Sequence, residues 1–519
     1  MTTPAPRRLP QAALPADGVG DELREATSHD LVFAVVGHAG AGASHVALSL
    51  IAGLKSSPYV AEYVKVSSLI ADAALGLDPD QFANVGSASR LERARALQDA
   101  GNWLRKNQYP SFTAALAIKR LHDIRASRDP ERPIAFVLDS LKNPEEVDAL
   151  RKVYGRSFYL VSVVCSPSVR EKRLDLKFKG SPDGEIPSLM NRDEADDATT
   201  GQQVRRTIHA ADFFVNNHDS PSSETDPVAD ALSRFLQIVS GTAVVRPTRD
   251  ERGMYAAWGA GLRSSCLSRQ VGVAILDAKG DLIATGTNDV PRAGGGLYQD
   301  GDSIDRRCFN YPKPDLGEDS GYCRSDKSKE QIFREVLGSL KDAGVLAENV
   351  DETAVHAALR STALSDLIEF SRAVHAEMDA LISLARTGAG GSREATLYST
   401  TYPCHGCAKH IVAAGISEVV YYEPYPKSRA LALHDDSIQE DTRAGLTPRA
   451  PVHFRLFTGV APRRFSALFE KRRDLKRGGR LQTAPEGTHA DPIFKKAYLE
   501  FEKSIADDVV LRTAHGATR

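Results

Sequence analysis

Two short motifs carry side chains of the kinds that bind metal ions and move protons. His375 and Glu377 are separated by one residue. Further along the chain, Cys404 and Cys407 are separated by two residues, and Pro403 precedes the first cysteine. An imidazole and two thiolates suit zinc, and three protein ligands leave the fourth tetrahedral position open to water, as in catalytic zinc sites. Zinc lowers the pKa of such a water from about 15.7 to roughly 7. The motifs therefore predict a zinc centre that activates water at neutral pH.

The offset between His375 and Glu377 predicts separate roles for the two residues. If His375 opens a helix, the Glu377 carboxylate points at the water instead of the metal, where it can take a proton and deliver it to a leaving amine. Pro403 suits the start of a second helix, whose positive end favours the thiolates. The alternative is a packed histidine beside a structural or redox C-x-x-C pair. The complete pattern H-x-E…P-C-x-x-C, with a β-rich stretch at 395–400 between its parts, is the signature of zinc nucleobase deaminases.

Composition bounds the class of protein. A chain of 519 residues predicts two or three domains, and a net charge of -2 with 26% charged residues excludes a globally basic nucleic-acid binder. Six cysteines do not make a disulfide scaffold at this length, which favours a reducing compartment. No apolar run approaches the roughly 18 residues of a membrane span. Residues 1–26 resemble a disordered tail and not a signal peptide, because they lack an apolar segment. We expect a cytoplasmic protein without membrane contacts.

A glycine-rich loop follows the first apolar stretch, residues 31–36. A buried strand running into such a loop and then a helix is typical of phosphate binding, because backbone N–H groups and a helix N-terminus face the anion. The spacing of Gly37, Gly42 and Ser44, with Gly40 between them, fits the Walker A frame. Ala43 stands at the lysine position, and that lysine neutralises phosphates in phosphoryl transfer. The loop therefore predicts nucleotide binding without kinase chemistry, or else a turn that binds nothing.

Alternating β and α patterns extend over residues 27–240. Apolar strands are predicted at 134–139, which ends in an acid, and at 158–164, with helical stretches between them. This order predicts a doubly wound parallel sheet. Residues 211–217 resemble the last strand of small P-loop kinases such as dephospho-coenzyme A kinase, so we expect a P-loop nucleotide kinase-like domain. The basic residues at 170–179 are either the lid of such a kinase or a solvated helix face.

A second domain is predicted at 250–430, after a linker. Residues 269–272 (Arg-Gln-Val-Gly), 286–288 (Gly-Thr-Asn), the two zinc motifs and 415–421 resemble the deoxycytidylate deaminase family. The resemblance implies a cytidine deaminase-like α/β/α fold with a mixed five-stranded sheet, a zinc cofactor, deoxycytidine nucleotides as substrates and a homo-oligomer, typically a hexamer.

The resemblance also implies substrate-binding residues. Asn288 matches the asparagine that binds the sugar 3′-hydroxyl in this family. Ala376, between the two residues of the first motif, is expected beside the substrate. Tyr421 and Tyr422 are candidates for the wall of the base or sugar pocket, although one of them should pack against the sheet; Tyr422 is the one we assign to substrate binding.

The order of the two domains narrows the resemblance. A kinase-like domain ahead of a deoxycytidylate-type deaminase is similar to the bacterial anti-phage dCTP/dCMP deaminases, and residues 371–380 and 459–465 look like that group. The resemblance implies conversion of dCTP, dCMP or both to deoxyuridine nucleotides as a defence against phage. We also expect a regulatory nucleotide at the P-loop. This expectation is weakened by Ala43, which stands where the Walker A motif has lysine.

Two segments outside these motifs leave alternatives open. An insertion at about 293–335 contains Cys308 and Cys323. The resemblance allows a second, structural zinc, which these two residues, Cys266 and a histidine could hold; cysteines of this kind are more often buried or free. A C-terminal extension, 431–519, contains a basic cluster that could bind triphosphate, RNA or a neighbouring subunit, or is simply solvated. Its members are Arg463, Arg464, Lys471, Arg472, Arg473, Lys476, Arg477 and Arg480.

Nucleotide deamination is the function that these residues favour. A polynucleotide deaminase acting on tRNA or single-stranded DNA needs a basic groove with aromatic platforms, which the net charge does not favour. A bifunctional nucleotide kinase-deaminase conflicts with Ala43. A regulator with a vestigial deaminase domain conflicts with the complete set of ligands and Glu377.

Overall fold

The computed structural model describes residues 26–515 with gaps at 84, 87–89, 129–131, 195–200, 219–225, 311–320, 348, 368, 389, 426–427, 441–450 and 472–473. The predicted disordered tail therefore lies outside the described residues, except for its last residue. Part of the insertion and two members of the basic cluster, Arg472 and Arg473, also lie outside them.

The strands are short, and most of them are apolar along their length. In chain order they are β1 Thr27–Ser28, β2 Leu31–Gly37, β3 Val60–Lys65, β4 Ile134–Leu141, β5 Phe158–Val164, β6 Phe213–Asn216, β7 Gly272–Leu276, β8 Leu282–Thr287, β9 Thr396–Thr401, β10 Glu418–Glu423, β11 Ile438–Glu440, β12 Val452–Leu456, β13 Gly459–Val460, β14 Lys476–Arg477, β15 Arg480–Leu481 and β16 Ile493–Phe494.

The helices range from one turn to about five turns. They are α1 Ala43–Lys55, α2 Val66–Leu77, α3 Pro79–Phe82, α4 Arg90–Asn107, α5 Phe112–Ala126, α6 Pro144–Tyr154, α7 Pro167–Lys177, α8 Glu185–Glu194, α9 Val204–His209, α10 Pro227–Ser240, α11 Arg249–Gly261, α12 Arg324–Asp342, α13 Glu352–Arg360, α14 Ala376–Thr387, α15 His405–Ala413, α16 Ala430–Leu433, α17 Phe465–Phe469 and α18 Lys496–His515. Within the described part of the chain, none of them has the length and apolar character needed to cross a membrane.

The chain divides into two compact units that interleave along the sequence. Unit 1 comprises Met1–Ala211, Asn217–Val244 and Arg472–Arg519, and unit 2 comprises Asp212–Asn216 and Val245–Lys471. The end of the chain is thus part of the same unit as its beginning. The domain boundaries drawn from the sequence at 27–240, 250–430 and 431–519 stay predictions.

Unit 1 contains a parallel sheet. Its strands lie in the order β5-β2-β4-β3, and every neighbouring pair is parallel. All seven residues of β2 are buried, which agrees with its uninterrupted apolar sequence, since a central parallel strand is covered on both faces. The parallel α/β arrangement is confirmed here, whereas the kinase-like, doubly wound description stays a prediction.

Unit 2 contains a mixed sheet. Its strand order is β11-β12-β10-β9-β7-β8, with β9 to β12 parallel to one another and β7 antiparallel to both of its neighbours. The resemblance implies five strands, and the described sheet has six. The difference arises beyond residue 430, where β12 pairs with β10 and the short β11 then adds to the edge.

Close backbone contacts press two helices of unit 2 against this sheet. A Cβ atom added at Gly272 of β7 would lie 1.9 Å from the Ala257 carbonyl oxygen of α11. A Cβ added at Gly286 of β8 would lie 2.1 Å from the Ala376 carbonyl oxygen, at the start of α14. Only glycine fits at these positions, because any side chain would push the helix away. The first turn of α14 is therefore placed by direct contact with β8.

Buried charges attach the C-terminal helix to unit 1. Helix α18 packs against α5, where Arg125 Nε and Nη2 each lie 3.2 Å from a carboxylate oxygen of Glu502, whose side chain is completely buried. Arg125 also pairs with Asp30, and the Tyr498 hydroxyl donates to that same carboxylate at 2.9 Å. The guanidinium thus joins the start of the chain, α5 and the C-terminal helix.

Loss of the Glu502 charge should destabilise unit 1. In Glu502→Gln the largely buried Arg125 guanidinium loses one of its carboxylate partners, and removing one member of a buried pair costs about 3 kcal/mol of folding free energy. Urea unfolding followed by circular dichroism measures this change. Glu500→Gln is the matched control, since Glu500 is exposed on the same helix. Equal midpoints for the two variants would contradict the role given to Glu502.

Candidate metal centre and active site

The two sequence motifs meet at the N-termini of two helices. His375 is the residue immediately before α14, and Cys404 holds the same position before α15. Strand β9 delivers the chain to Cys404, and β8 lies under the start of α14. A hydrogen bond of 2.9 Å from Val374 N–H to the Asp289 carbonyl oxygen ties the segment before His375 to the residues that follow β8. The sheet therefore sets the positions of both helix starts.

The donor atoms of this centre lie close enough to share one ion. His375 Nδ1 is 3.3 Å from Cys404 Sγ and 3.3 Å from Cys407 Sγ. All three donor atoms lie within 4.8 Å of one another. One nitrogen and two sulfur donors at this spacing fit a tetrahedral zinc ion with a position left for another ligand. Within the described part of the chain, this is the one cluster of three or more such side chains that could hold a metal.

Helix geometry prepares the cysteines to be thiolates. Cys404 Sγ accepts a hydrogen bond from Cys407 N–H at 3.4 Å, and the positive end of α15 stabilises negative charge there. The hydrogen bond from the Cys407 thiol, with a smaller contribution from His375, lowers the pKa of Cys404 to about 4. The same hydrogen bond raises the pKa of Cys407, because Cys407 keeps the proton that the two sulfur atoms share. The pair therefore loses its first proton readily and gives up the second when a metal binds.

Glu377 lies beside this centre and is almost fully buried. Only 4% of its surface is exposed, and its carboxylate is hydrogen bonded to the Cys407 side chain. Burial is the main cause that raises the pKa of Glu377 above its usual range. A carboxyl group with a raised pKa exchanges protons more readily near neutral pH, which is what a proton shuttle requires.

A cavity of about 260 Å³ opens over the centre. It is lined by the metal-site residues His375, Glu377 and Cys404 and by two residues predicted from the sequence, Asn288 and Ala376. Ala376 is fully buried. A concave pocket above a metal centre is the usual place for a small-molecule substrate.

Asn288 is held rigidly at the wall of this cavity. Its Oδ1 accepts from Val271 N–H at 2.7 Å, and its Nδ2 donates to the Arg269 carbonyl oxygen at 2.8 Å. An amide oxygen has two lone pairs and an amide nitrogen has two hydrogens, so both groups keep the capacity for a further hydrogen bond. Its assignment to the sugar hydroxyl stays a prediction.

Tyr422 is placed differently from the sequence expectation. Its ring contacts Phe214 and Phe457 in an aromatic cluster, with the Phe214 centroid 5.1 Å away. Neighbouring residues of a strand point to opposite faces, so Tyr421 packs on the other side against Tyr402. Within the described residues, the tyrosines that line the cavity are Tyr402 and Tyr425. Tyr422 therefore packs in an aromatic cluster, and its assignment to substrate binding stays a prediction.

The second metal site is not formed by the described residues. Cys266, Cys308 and Cys323 all line the same cavity as free, half-buried thiols. They do not make a cluster of three donors close enough to bind one ion within the part of the chain that the structure describes. The sequence shows three cysteines in one region, whereas metal binding depends on how closely their sulfur atoms converge.

The helix pattern around the first motif also needs correction. The residue pattern over 351–385 predicts helical structure whose end carries His375 and Glu377, whereas the offset of these two residues predicts a helix start at His375. The structure has α13, a 3₁₀ turn at Ala363–Asp366 and an irregular stretch before α14 begins. Pro403 likewise precedes the helix, and Cys404 caps it. The breaks matter because they put His375 and Cys404 at helix N-termini.

Three basic residues that line the cavity were not among the predicted site residues. They are Arg269, Lys329 and Arg372. Arg269 and Arg372 stand within motifs already quoted from the sequence, so their positions were a usable signal. Lys329 lies on α12, and no sequence feature singles it out. Phosphate esters are bound by such side chains.

The glycine-rich loop lies in unit 1. Strand β2 ends at Gly37, and α1 begins at Ala43. Gly40 lies within the turn, Gly42 is the residue that precedes the helix, and the Ser44 hydroxyl donates to Asp139 at the end of β4 at 2.7 Å. The strand–loop–helix order expected for a phosphate-binding loop is thus present. Nucleotide binding by this loop stays a prediction.

The basic cluster shows a mixture of environments. Arg464 lies 3.5 Å from the carboxylate of Asp212, both within unit 2. Lys476, Arg477 and Arg480 belong to the exposed hairpin β14–β15 of unit 1. The cluster read from the sequence is therefore divided between the two units.

Residues 247–423 match the family described as the cytidine and deoxycytidylate deaminase zinc-binding region. This range contains all three donors and Glu377, so zinc is the metal of this centre.

Known proteins resemble the chain over different lengths. The deoxycytidylate deaminase of Saccharomyces cerevisiae is 24% identical over 311 residues, which are 59% of this chain and 78% of the relative. The UPF0200 protein MK0400 of Methanopyrus kandleri is 28% identical over 134 residues, which are 26% of this chain and 66% of that relative. The deoxycytidylate deaminase of Enterobacteria phage T2 is 31% identical over 166 residues, 32% of this chain and 75% of the relative. With the zinc ligands and the buried glutamate in one centre, these similarities lead to one conclusion: the chain belongs to the deoxycytidylate deaminase family.

Proposed function

We propose that the protein hydrolyses the 4-amino group of deoxycytidine nucleotides, dCMP, dCTP or both, and forms deoxyuridine nucleotides and ammonia. The observation that carries the proposal is the single cavity in which His375, Cys404 and the buried Glu377 lie together. Each group needed for hydrolytic deamination is present, and each is placed by a helix start on the sheet of unit 2.

The residues divide the reaction between them. His375, Cys404 and Cys407 hold the zinc ion, which when bound makes hydroxide available at neutral pH and so supplies the nucleophile for C4 of the base. The Glu377 carboxylate takes the proton that water gives up and delivers it to the ring nitrogen. It then takes the proton of the new 4-hydroxyl group and carries it to the departing amine, which leaves as ammonia while the 4-oxo group forms. Burial keeps bulk water from competing for these protons.

The charge of the cavity favours a phosphorylated substrate over a free nucleoside. Three basic residues line it, Arg269, Lys329 and Arg372. Its acidic lining residues are Asp326 and the catalytic Glu377. Lys329 Nζ donates to the Ser365 carbonyl oxygen at 2.7 Å, and Arg372 donates to the Arg306 carbonyl oxygen, so both cations are held in place at the cavity. Anchored cations bind phosphate with little loss of side-chain entropy.

The biological role is part of the proposal. The order of domains read from the sequence supports an anti-phage function in which deoxycytidine nucleotides are depleted. The six cysteines are thiols that form no disulfide in the described residues, and thiolate ligands need reducing conditions, which supports a cytoplasmic setting. The homo-oligomeric, typically hexameric, state implied by the family is carried as part of this proposal.

Two other functions have less support. A polynucleotide deaminase would need an open basic groove with stacking platforms, whereas the cavity measures about 260 Å³ and the net charge is -2. A bifunctional kinase would need a cation at position 43 to neutralise the transferred phosphate, and alanine stands there.

Removal of the shuttle should stop turnover without loss of metal. Glu377→Gln keeps the size of the side chain but cannot exchange protons, so we expect kcat for dCMP to fall at least about 100-fold. Zinc content measured by atomic absorption should stay at the wild-type value, because Glu377 is not one of the three donors. Cys407→Ser is the contrasting variant, in which zinc itself should be lost. Wild-type turnover by Glu377→Gln would contradict the proton-transfer role.

A substrate panel tests the proposed reaction. The zinc-loaded protein is incubated separately with dCMP, dCTP, CTP and cytosine-containing single-stranded DNA, and ammonia release is followed. We expect turnover of dCMP or dCTP, since the cavity is small and positively lined. Turnover of DNA alone would move the polynucleotide function to first place.

The cavity cations should act through the phosphate group. In Arg372→Met we expect kcat/KM for the nucleotide substrate to fall about tenfold or more, because a charge-assisted hydrogen bond is lost. Activity on the nucleoside deoxycytidine, which has no phosphate, should change little. Arg393→Met serves as control, since Arg393 is exposed away from the lining residues. An equal loss on nucleotide and nucleoside would indicate a structural role for Arg372.

A further inference from the structure

The glycine-rich loop of unit 1 has the backbone form of an anion site. Gly40 and Gly42 have φ values of +80° and +88°, which non-glycine residues rarely adopt. The thirteen-residue helix α1 follows directly, and no side chain within the described residues caps its first N–H groups. Uncapped N–H groups at a helix start are donors for a phosphate or carboxylate.

Residues from outside the loop clamp it in this form. A Cβ atom added at Gly40 would lie 2.6 Å from the Arg170 carbonyl oxygen, and one added at Gly42 would lie 2.2 Å from Asn217 Nδ2. Asn217 Nδ2 also donates to the Ala41 carbonyl oxygen at 2.7 Å. The loop is therefore a packed element of the fold and not a loose surface turn.

Two nitrogens of a buried cation beside the loop have no hydrogen-bond partner. Arg170 is 5% exposed, and its Nε and Nη1 have no hydrogen-bond partner among the described residues. The carboxylates of Glu194 and Asp193 are near enough to act on its charge, but they leave these two buried N–H donors without an acceptor. Unpaired buried donors are unfavourable, which favours binding of an anion beside them. Arg170 lies at the loop, because its backbone carbonyl packs against Gly40. Burial is the main cause that lowers the pKa of His38, and the charge of Arg170 lowers it further.

Further positive charge converges on the same place. Lys142 Nζ lies 3.1 Å from the Gly37 carbonyl oxygen, where the loop begins. The pKa of Lys177 is lowered mainly by burial and then by the nearby charges of Lys65, Arg90 and Lys142. Asp139, which lies 3.4 Å from Lys65 Nζ, offsets part of the repulsion among these cations, and a bound anion would offset more of it.

A carboxylate of the protein now occupies part of the loop. Asp193 Oδ2 accepts a hydrogen bond from Ala39 N–H at 2.7 Å, and Asp193 Oδ1 lies 2.8 Å from Lys142 Nζ. Asp193 is 2% exposed. A loop N–H and a lysine ammonium are the two kinds of donor that a phosphate group receives in phosphate-binding loops. The carboxylate therefore stands in the place of a phosphate oxygen.

We propose that residues 37–44 bind the phosphate chain of a nucleotide, that Lys142 and Arg170 supply the positive charge which Ala43 lacks, and that the phosphate displaces Asp193 from Ala39 N–H. The site binds without transferring a phosphoryl group, since no cation stands at position 43. The proposal concerns unit 1 alone and does not depend on the deaminase reaction.

Calorimetric titration of the full-length, zinc-loaded protein tests this site, with tripolyphosphate and ATP as the probes. We expect both to bind at one shared site with affinity in the millimolar range or better. In Lys142→Met and in Arg170→Met the affinity should fall about tenfold or more, since each loses a charge-assisted contact. Lys55→Met is the matched control, because Lys55 is exposed at the far end of the same helix α1.

The variant Asp193→Asn tests whether the Asp193 carboxylate competes with phosphate for Ala39 N–H or only stabilises the loop. Removal of the competing charge should tighten binding of tripolyphosphate, opposite in sign to the lysine and arginine variants. Circular dichroism checks that each variant is folded. The proposal is overturned if the wild type binds neither probe, if Lys142→Met and Arg170→Met both bind as the control does, or if a folded Asp193→Asn binds more weakly than the wild type.

Discussion

The start of two helices on one sheet is the constraint on which unit 2 depends. His375 and Cys404 each precede a helix, and their donor atoms are 3.3 Å apart. This distance requires the close approach of α14 to β8, which is possible because Gly286 has no side chain. The same helix start carries Glu377 into a buried position. The metal centre and the proposed proton transfer by Glu377 therefore rest on a single packing arrangement.

In unit 1 the electrostatic constraint is the positive charge near the glycine-rich loop. Cations from several elements lie near its glycine-rich loop, and the Asp193 carboxylate neutralises part of their charge. Arg170 is buried, and its Nε and Nη1 have no hydrogen-bond partner in the described part of the chain. In unit 2 the donor atoms of the metal centre hydrogen bond to one another, whereas in unit 1 two buried donors of Arg170 stay unpaired beside the loop.

Prediction from sequence succeeded where the signal was local. The zinc ligands and Glu377 are defined by spacings of two and three residues, and the strand β2 by a continuous apolar run. It failed where the outcome depended on distant parts of the chain. Alternation along β10 predicts that Tyr421 and Tyr422 point to opposite faces, but it does not reveal which face meets the cavity. The helical stretch predicted over 351–385 is broken, since hydrophobic periodicity marks helix interiors better than helix ends.

The sequence by itself determined the chemistry of this protein, because residue types and short spacings decide which atoms can bind zinc and carry protons. Only the tertiary structure decided which other side chains join those atoms. Arg269, Lys329 and Arg372 come from separate segments and meet at one cavity, while Cys266, Cys308 and Cys323 reach the same cavity without forming a metal cluster among the described residues. The physical reason is that convergence of distant side chains depends on how strands and helices pack, and packing is a property of the whole fold.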